Sequence, residues 1–291
     1  MVSHNGMEAA PFRNTAGPEL PSAVPATLAQ ARQQDIVADH GEIYRLLIAV
    51  PPGPAPAAGF PVIYLVDGNA LFATAVETAQ LQGRRQDVTG VDPAIIVGIG
   101  YPIDAPFDGA RRQGDLLPDE GGADRFLDFI EEGVKPAVAA LAAIDPNRQA
   151  LVGHSFGGLF ALHALFTRPE QFRSYVAGSP SIWWNDRAIE ISEASFVARR
   201  RDAALPRLLI TAGGSEQTRD ARTSPERAQR LHMARMLDNA HEMALRLASS
   251  HRVAVEHVIF DGENHISVIP AMLARAVSFA IAGTAGRETA A

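Results

Sequence analysis

Residues 151–159 read LVGHSFGGL, an apolar run that passes into a Gly-x-Ser-x-Gly pattern and then into a segment rich in Ala and Leu. A strand, a tight turn and a helix in this order are typical of a nucleophile elbow, in which a strained turn holds a serine above a mostly parallel sheet. Gly153 and Gly157 are required there because side chains would collide with the adjacent strand and helix. The segment therefore predicts Ser155 as a nucleophile at the head of a helix.

Two backbone N–H groups are expected to stabilise the oxyanion that forms when such a serine attacks an acyl carbonyl. The first is the N–H of Phe156, where the positive end of the helix dipole adds to the effect. The second should come from the loop after the third strand. That loop contains Asp67 and Gly68, so we assign the N–H of Gly68 or its neighbour. Asp67 is also suited to cap the helix that follows.

The general base is expected on a loop after the last strand, because the order of the triad in this type of fold is Ser, acid, His. His265 ends the segment 260–265, FDGENH, which follows the last predicted strand and precedes the last predicted helix. The other histidines precede the nucleophile or lie on predicted helices and strands. His265 is therefore the predicted base.

The acid should follow the strand that precedes the base, and Glu216 stands at the end of the segment 207–216, RLLITAGGSE. A buried carboxylate at this point would orient the imidazole and stabilise its protonated form. A capping or solvated glutamate is the alternative. Asp186, Asp220 and Asp261 are the competing acids, although Asp261 is very close to the base along a short loop.

Short β-branched runs alternate with segments of helical period from residue 42 onward, which predicts an α/β chain with a mostly parallel sheet. The opening pair of strands is expected to be antiparallel. The predicted strands are 30–37, 42–50, 62–66, 94–98, 150–153, 174–177, 207–211 and 253–260, and the predicted helices are 70–80, 124–141, 157–167, 224–248 and 266–281. Eight strands with these crossovers match an α/β-hydrolase fold with helices on both faces. We expect residues 27–291 to form one domain and residues 1–26 to be a flexible N-terminal segment.

Composition narrows the classes of partner. The formal net charge of −7 disfavours nucleic acid and anionic membranes, and the absence of cysteine excludes disulfides and thiolate metal sites. No apolar run is long enough to cross a bilayer, and no secretory pattern stands at the start, so a soluble, cytoplasmic protein is expected. No metal-binding motif is found, and no cofactor is expected. The predicted partner is a small-molecule ester.

Six motifs in order resemble the esterase D-like serine hydrolases, specifically the group that contains the enterochelin (ferric-catecholate siderophore) esterases. They are LVDGNALF (65–72), GIGYP (98–102), RRQGDLLP (111–118), GHSFGG (153–158), SPSIWW (179–184) and GENH (262–265). The resemblance runs from about residue 30 to residue 282. It implies that Ser155 and His265 hydrolyse the ester bonds of a cyclic trilactone siderophore, whose iron arrives with the substrate. Members of the group differ in the acid, so the resemblance supports Glu216 less than the other two.

The expected substrate-binding residues come from the same motifs. Arg111 and Arg112, on a long connection, are suited to attract an anionic ferric tricatecholate, and the alternative is a surface salt bridge with Asp115. Trp183 and Trp184 are suited to form a flat apolar wall, although the side chains of adjacent residues diverge and one of the two should be structural. The motif residues Asn69 and His154 complete the expected set.

The leading hypothesis is a siderophore esterase that acts through an acyl-enzyme. A general carboxylesterase or thioesterase for a small metabolite would use the same triad. A non-catalytic binding protein of the same fold is a third possibility, but such a protein has no need of an intact elbow and base.

Overall fold

In the computed structural model, which describes residues 26–199, 204–218 and 223–282, eight strands form one sheet. They are β1 (Ala31–Val37), β2 (Ile43–Ala49), β3 (Phe60–Val66), β4 (Ile95–Gly100), β5 (Ile144–His154), β6 (Ser174–Gly178), β7 (Arg207–Gly213) and β8 (Ala254–Phe260). The order across the sheet is β1-β2-β4-β3-β5-β6-β7-β8. β1 pairs with β2, and β2 with β4, in antiparallel fashion, and the other pairs are parallel. The predicted mostly parallel sheet with an antiparallel opening is confirmed.

Helices cover both faces of this sheet. In chain order they are α1 (Gly68–Gly83), α2 (Gln86–Thr89), α3 (Gly109–Leu116), α4 (Gly122–Phe129), α5 (Lys135–Ala139), α6 (Phe156–Thr167), α7 (Trp184–Arg187), α8 (Ile189–Ala198), α9 (Pro225–Ala234), α10 (Met236–Ser250) and α11 (Val268–Ile281). A π-helical turn, Ile130–Val134, joins α4 to α5. The core on one side contains buried residues of α1 and α11, and the core on the other contains those of α4, α6, α8 and α10.

The central strands are apolar along their whole length because both of their faces are covered. Every residue of β3, β4 and β6 is buried. Sheets buried on both sides are built from continuous Val- and Ile-rich runs instead of alternating patterns. The carboxyl ends of β3, β5, β6, β7 and β8 lie along one edge of the sheet, which is where ligands bind in open α/β sheets.

Four of the observed helices were not predicted, and one strand is longer than expected. α2 is a single turn between α1 and β4. α3 lies in the long connection after β4, and α7 and α8 lie in the one after β6, so both excursions are partly helical. β5 begins at Ile144 and not at residue 150. Residues 145–147 are Asp-Pro-Asn, a turn-like sequence that nevertheless lies in a strand, where the pairing with β3 is irregular near Phe60.

The predicted helix 224–248 is two helices. α9 and α10 meet at Arg235, whose φ of 43° is left-handed, although no Gly or Pro marks a break. The side chain of Gln217 accepts hydrogen bonds from the N–H groups of Leu237 and Asp238 at 2.6 and 3.0 Å, and so satisfies the exposed donors at the start of α10. The break depends on a residue from a distant loop, which periodicity alone cannot reveal.

The predicted N-terminal segment, residues 1–26, lies outside the described residues except for its last position. Residues 27–291 as one domain stay a prediction. Among the helices of the described ranges, none combines the length and the apolar character needed to span a bilayer. The cytoplasmic location expected from the sequence stays a prediction.

Candidate active site

The strand–turn–helix segment has the geometry expected of a nucleophile elbow. Ser155, between β5 and α6, has φ 60° and ψ −116°, a strained conformation for a residue with a side chain. Its N–H donates to the carbonyl of Gly178 at 2.9 Å, which ties the turn to β6. A Cβ at Gly153 would lie 2.1 Å from the carbonyl oxygen of Gly157, so only glycine fits there. The tight turn projects Ser155 from the carboxyl edge of the sheet.

The segment after β6 contacts the serine directly. The Oγ atoms of Ser155 and Ser181 are 3.4 Å apart, and the N–H of Ser181 donates to the carbonyl of Ser155 at 3.2 Å. Ser181 belongs to the SPSIWW motif, for which the sequence indicates only an aromatic wall. The position of this motif, directly after a central strand, was the sequence signal for a contact of this kind.

His265 and Glu216 form a pair at the same edge of the sheet. Nδ1 of His265 is 2.7 Å from Oε2 of Glu216. The carboxylate side chain is 1% exposed and the imidazole is 38% exposed, so the acid lies behind the base. This is the arrangement in which a carboxylate fixes the orientation of a catalytic imidazole and leaves Nε2 for proton transfer.

Three donors converge on Glu216. Besides His265, the hydroxyl of Ser179 donates to Oε1 at 2.5 Å and the N–H of Gly213 donates to the same atom at 2.7 Å. Burial alone would raise the pKa of Glu216, but the hydrogen bonds from His265, Ser179 and Gly213 outweigh it and hold the pKa below its ordinary value. The carboxylate therefore stays ionised beside the imidazole.

The competing acids do not take this position. Asp261 and Asp186 are exposed, and neither bonds to His265. Asp220 lies outside the described residues. Ser179, which sequence reasoning missed as a partner of the acid, has a left-handed φ of 40° and is completely buried.

His154 lies beneath the imidazole. The ring centroids of His154 and His265 are 4.6 Å apart, and His154 is only 4% exposed. Burial, reinforced by the neighbouring His265, lowers the pKa of His154 to about 3, so this ring is neutral at physiological pH. We expected His154 to contact substrate, but its position supports His265 from behind.

The two expected oxyanion donors lie at the ends of adjacent strands. Gly68 begins α1 after β3, and Phe156 begins α6 after β5. Within the described part of the chain, neither N–H donates to another protein group. A Cβ at Gly68 would lie 2.5 Å from a backbone carbon of Gly98, so the turn packs directly against β4.

Comparisons with known proteins show the family of the chain. Residues 39–265 match the Esterase family model, described as "Putative esterase". The chain is 41% identical over 262 residues to the ferri-bacillibactin esterase BesA of Bacillus subtilis, covering 84% of this chain and 86% of that one. The chain belongs to this esterase family. It is a hydrolase that acts on ester bonds.

Further relatives and solved structures extend the likeness. A siderophore enterobactin esterase of Emericella nidulans is 38% identical over 257 residues, covering 78% of this chain and 84% of that one. The BES protein of Bacillus cereus superposes with a TM-score of 0.79 at 34% identity, covering 90% of this chain and 99% of that one. The siderophore hydrolase EstB of Aspergillus nidulans gives a TM-score of 0.79 at 36% identity, covering 90% of this chain and 98% of that one. The expected α/β-hydrolase fold and esterase family are confirmed.

Arg112 of this esterase is committed to a buried carboxylate. Its guanidinium donates to both oxygens of Asp67, at 2.9 and 2.7 Å, and the Asp67 side chain is 1% exposed. The same guanidinium lies 5.3 Å from the ring centroid of Phe156. Arg112 therefore contacts the turns that carry both expected oxyanion donors, Gly68 and Phe156. Asp67 caps no helix with its side chain, contrary to our expectation.

Arg111, which is partly exposed, also has partners within the protein. It donates to the carbonyl of Ile43 at 2.6 Å and lies 3.1 Å from a carboxylate oxygen of Glu42. Asp115, the salt-bridge partner that we considered, instead accepts from Tyr44 at 3.0 Å. Arg111 and Arg112 therefore have partners within the protein, which differ from the expected one. Their contact with substrate stays a prediction.

The two tryptophans expected to contact substrate differ in their surroundings, because Trp183 faces solvent and Trp184 packs against Phe156. Trp183 is 37% exposed. Trp184 donates to Asp119 at 3.1 Å and packs edge-on against Phe156 at 5.3 Å, so it is the structural member of the pair. Asn69 makes three hydrogen bonds to the backbone of Tyr101 and Ile103, between 2.9 and 3.0 Å, and thereby holds the loop after β4.

A cavity of about 930 Å³ opens beside the His265–Glu216 pair. Its wall includes Trp183, Glu216, Arg227, Arg230, Asn264 and His265. This volume suits a ligand well above the size of a simple ester. α9 belongs to the predicted helix 224–248, and sequence reasoning assigned no function to its arginines.

In the described ranges, no three His, Asp or Glu side chains gather in a way that could hold a metal ion.

Proposed function

We propose that this protein is a serine esterase that hydrolyses the ester bonds of a siderophore, with a catecholate trilactone such as enterobactin in its ferric form as the expected substrate. The observation that carries the proposal is the pair formed by His265 and buried Glu216 at the edge of the sheet that carries the strained elbow of Ser155. The named relatives, a ferri-bacillibactin esterase and a siderophore enterobactin esterase, support the class of substrate.

The geometry supports a two-step acyl transfer. Ser155 Oγ attacks the ester carbonyl while His265 Nε2 takes its proton, and the N–H groups of Gly68 and Phe156 bind the oxyanion. The protonated imidazole, stabilised by ionised Glu216, then gives the proton to the departing alkoxide, which leaves an acyl-enzyme. A water molecule, deprotonated by His265, attacks the acyl carbonyl and releases the acid and free Ser155. Cleavage of the trilactone weakens the cage around its iron and so favours iron release.

The role of each expected substrate residue follows from its contacts. We assign Trp183 to the wall of the substrate cavity, because its indole is exposed there. We assign Asn69, His154 and Trp184 to positioning, because each is engaged within the protein. Arg112 is assigned to the oxyanion turns.

The test compares hydrolysis of ferric enterobactin, iron-free enterobactin and neutral p-nitrophenyl butyrate by the wild type and by Ser155→Ala. We expect Ser155→Ala to lose several orders of magnitude in kcat on all three and to lose labelling by a fluorophosphonate, since the hydroxyl serves chemistry and not packing. Ser249→Ala, which removes an exposed hydroxyl from α10, is the control. Near-normal turnover by Ser155→Ala would refute the mechanism.

The same assay separates the substrate from the chemistry. A wild type that is labelled and hydrolyses the butyrate ester, but not enterobactin, is a general esterase. For the acid, Glu216→Gln should lower kcat more than Asp261→Asn, because only Glu216 bonds to His265. The reverse order would move the acid to Asp261.

A further inference from the structure

The cavity beside the catalytic pair has a cationic wall that comes from α9. Arg227 and Arg230, three residues apart on this helix, both line the cavity, and both are exposed. Residues at this spacing share one helix face. The same cavity also has a flat aromatic surface, the exposed indole of Trp183.

These two arginines differ from the pair that the sequence singled out. Arg111 and Arg112 have carboxylate partners within the protein, whereas neither Arg227 nor Arg230 forms a salt bridge with a residue in the described ranges. Glu226 interacts electrostatically with Arg230 along the helix, but it is exposed and borders a neighbouring cavity. The guanidinium groups are therefore available to a ligand.

The acidic residue that the described part of the chain brings to the cavity wall, Glu216, does not cancel this charge. Glu216 is buried and bonded to His265, so its charge is already paired. The protein as a whole carries a formal net charge of −7, so two arginines without a salt-bridge partner in the described ranges create a local positive field against an acidic background.

The packing of α9 supports a role in binding. None of its residues is fully buried, unlike α10, which buries six residues in the core. The orientation of α9 depends on the break at Arg235 and on Ser224, whose hydroxyl accepts from the N–H of Arg227 at 3.2 Å. α9 therefore contributes little to the core, and its exposed face borders the cavity, where it can contact a ligand.

We propose that Arg227 and Arg230, together with Trp183, form the subsite that recognises the negative charge and aromatic rings of a bulky anionic substrate. Guanidinium groups bind anionic oxygens and stack on aromatic rings, which suits a ferric tricatecholate. The proposal rests on the proposed function for the identity of the ligand, but the charge selectivity of the cavity can be tested without catalysis.

The first test measures binding. In the Ser155→Ala background, ferric enterobactin is titrated and the quenching of tryptophan fluorescence gives Kd. Adding Arg227→Gln and Arg230→Gln should raise Kd by about 10- to 100-fold. Raising the ionic strength should raise Kd less in this variant than in the protein that keeps both arginines. The matched control is Arg32→Gln with Arg84→Gln, which makes the same change in net charge at two exposed arginines away from the site.

The second test measures selectivity. The ratio of kcat/KM for ferric enterobactin to that for neutral p-nitrophenyl butyrate should fall at least about 10-fold in the Arg227→Gln/Arg230→Gln enzyme and stay constant in the control. An unchanged Kd, or an unchanged ratio, overturns the proposal. If the wild type fails to hydrolyse ferric enterobactin, the proposed function fails, while the Kd comparison still decides whether α9 recognises anionic aromatic ligands.

Discussion

The hydroxyl of Ser179 is predicted to set the charge state and orientation of Glu216. It is fully buried and donates to Oε1 of Glu216 at 2.5 Å, so Ser179→Ala removes one of three donors from an ionised carboxylate. A hydrogen bond to a charged group contributes about 1.5 to 3 kcal/mol, and that is the expected loss in the free energy of unfolding. The pKa of Glu216 should rise toward its ordinary value.

The expected loss of activity is smaller, because His265 and Gly213 still hold the carboxylate. If half of the lost free energy is expressed in the transition state, kcat falls about 3- to 10-fold. The measurements are urea unfolding and kcat on p-nitrophenyl butyrate. Ser174→Ala, a buried serine at the other end of β6, is the control and should leave kcat unchanged.

A double-mutant cycle tests whether Ser179 acts through the acid. In a Glu216→Gln background the acceptor is neutral, so Ser179→Ala should cost less than half of what it costs in the wild type. Equal costs in the two backgrounds would refute the reasoning, because additivity means that Ser179 stabilises the fold independently of the charge on Glu216.

Two further predictions concern residues beneath the site. Arg112→Ala should lower kcat on neutral p-nitrophenyl butyrate about 10-fold with little change in KM. The reason is that the turn that carries Gly68 loses the contact between Arg112 and Asp67 that fixes it. The control is Arg246→Ala, which breaks a comparable pair with buried Glu193. A rise in KM for ferric enterobactin alone would restore Arg112 to substrate recognition. His154 has a folded-state pKa of about 3 against 6.5 for an ordinary histidine, so unfolding takes up a proton between these values. The wild type should therefore lose stability as the pH falls from 6.5 to 3, and His154→Gln should lose less over the same range. Equal slopes of the unfolding free energy against pH, measured in urea, would contradict this.

Local chemistry made most of the fold and the elbow at Ser155 predictable. All eight strands were found near their expected positions, because strands covered on both faces need continuous apolar runs. The elbow was predictable because the turn at Ser155 admits only glycine at Gly153, a constraint confined to five residues. Three of the four missed helices, α3, α7 and α8, lie in the long connections, and the fourth, α2, is a single turn after α1.

Side-chain pairing across the chain was harder to predict. The position of Glu216 after β7 indicated the acid, but only the meeting of two strand ends shows its 2.7 Å contact with His265. Arg111 and Arg112 looked available because their partners, Glu42 and Asp67, lie 69 and 45 residues away along the chain. A charged residue that has no oppositely charged residue near it in the sequence can still form an ion pair in the folded protein.

By itself the sequence determined the sheet and the elbow at Ser155, and it predicted the positions of Glu216 and His265, because each follows from local geometry or from the order of strands. The tertiary structure alone decided which arginines remain available to a ligand. Gln217, in the loop that follows the acid, caps α10, so the chain breaks at Arg235 and α9 brings Arg227 and Arg230 to the wall of the cavity. That arrangement depends on a side chain reaching across the fold to satisfy the free N–H groups of a distant helix, which no local pattern encodes.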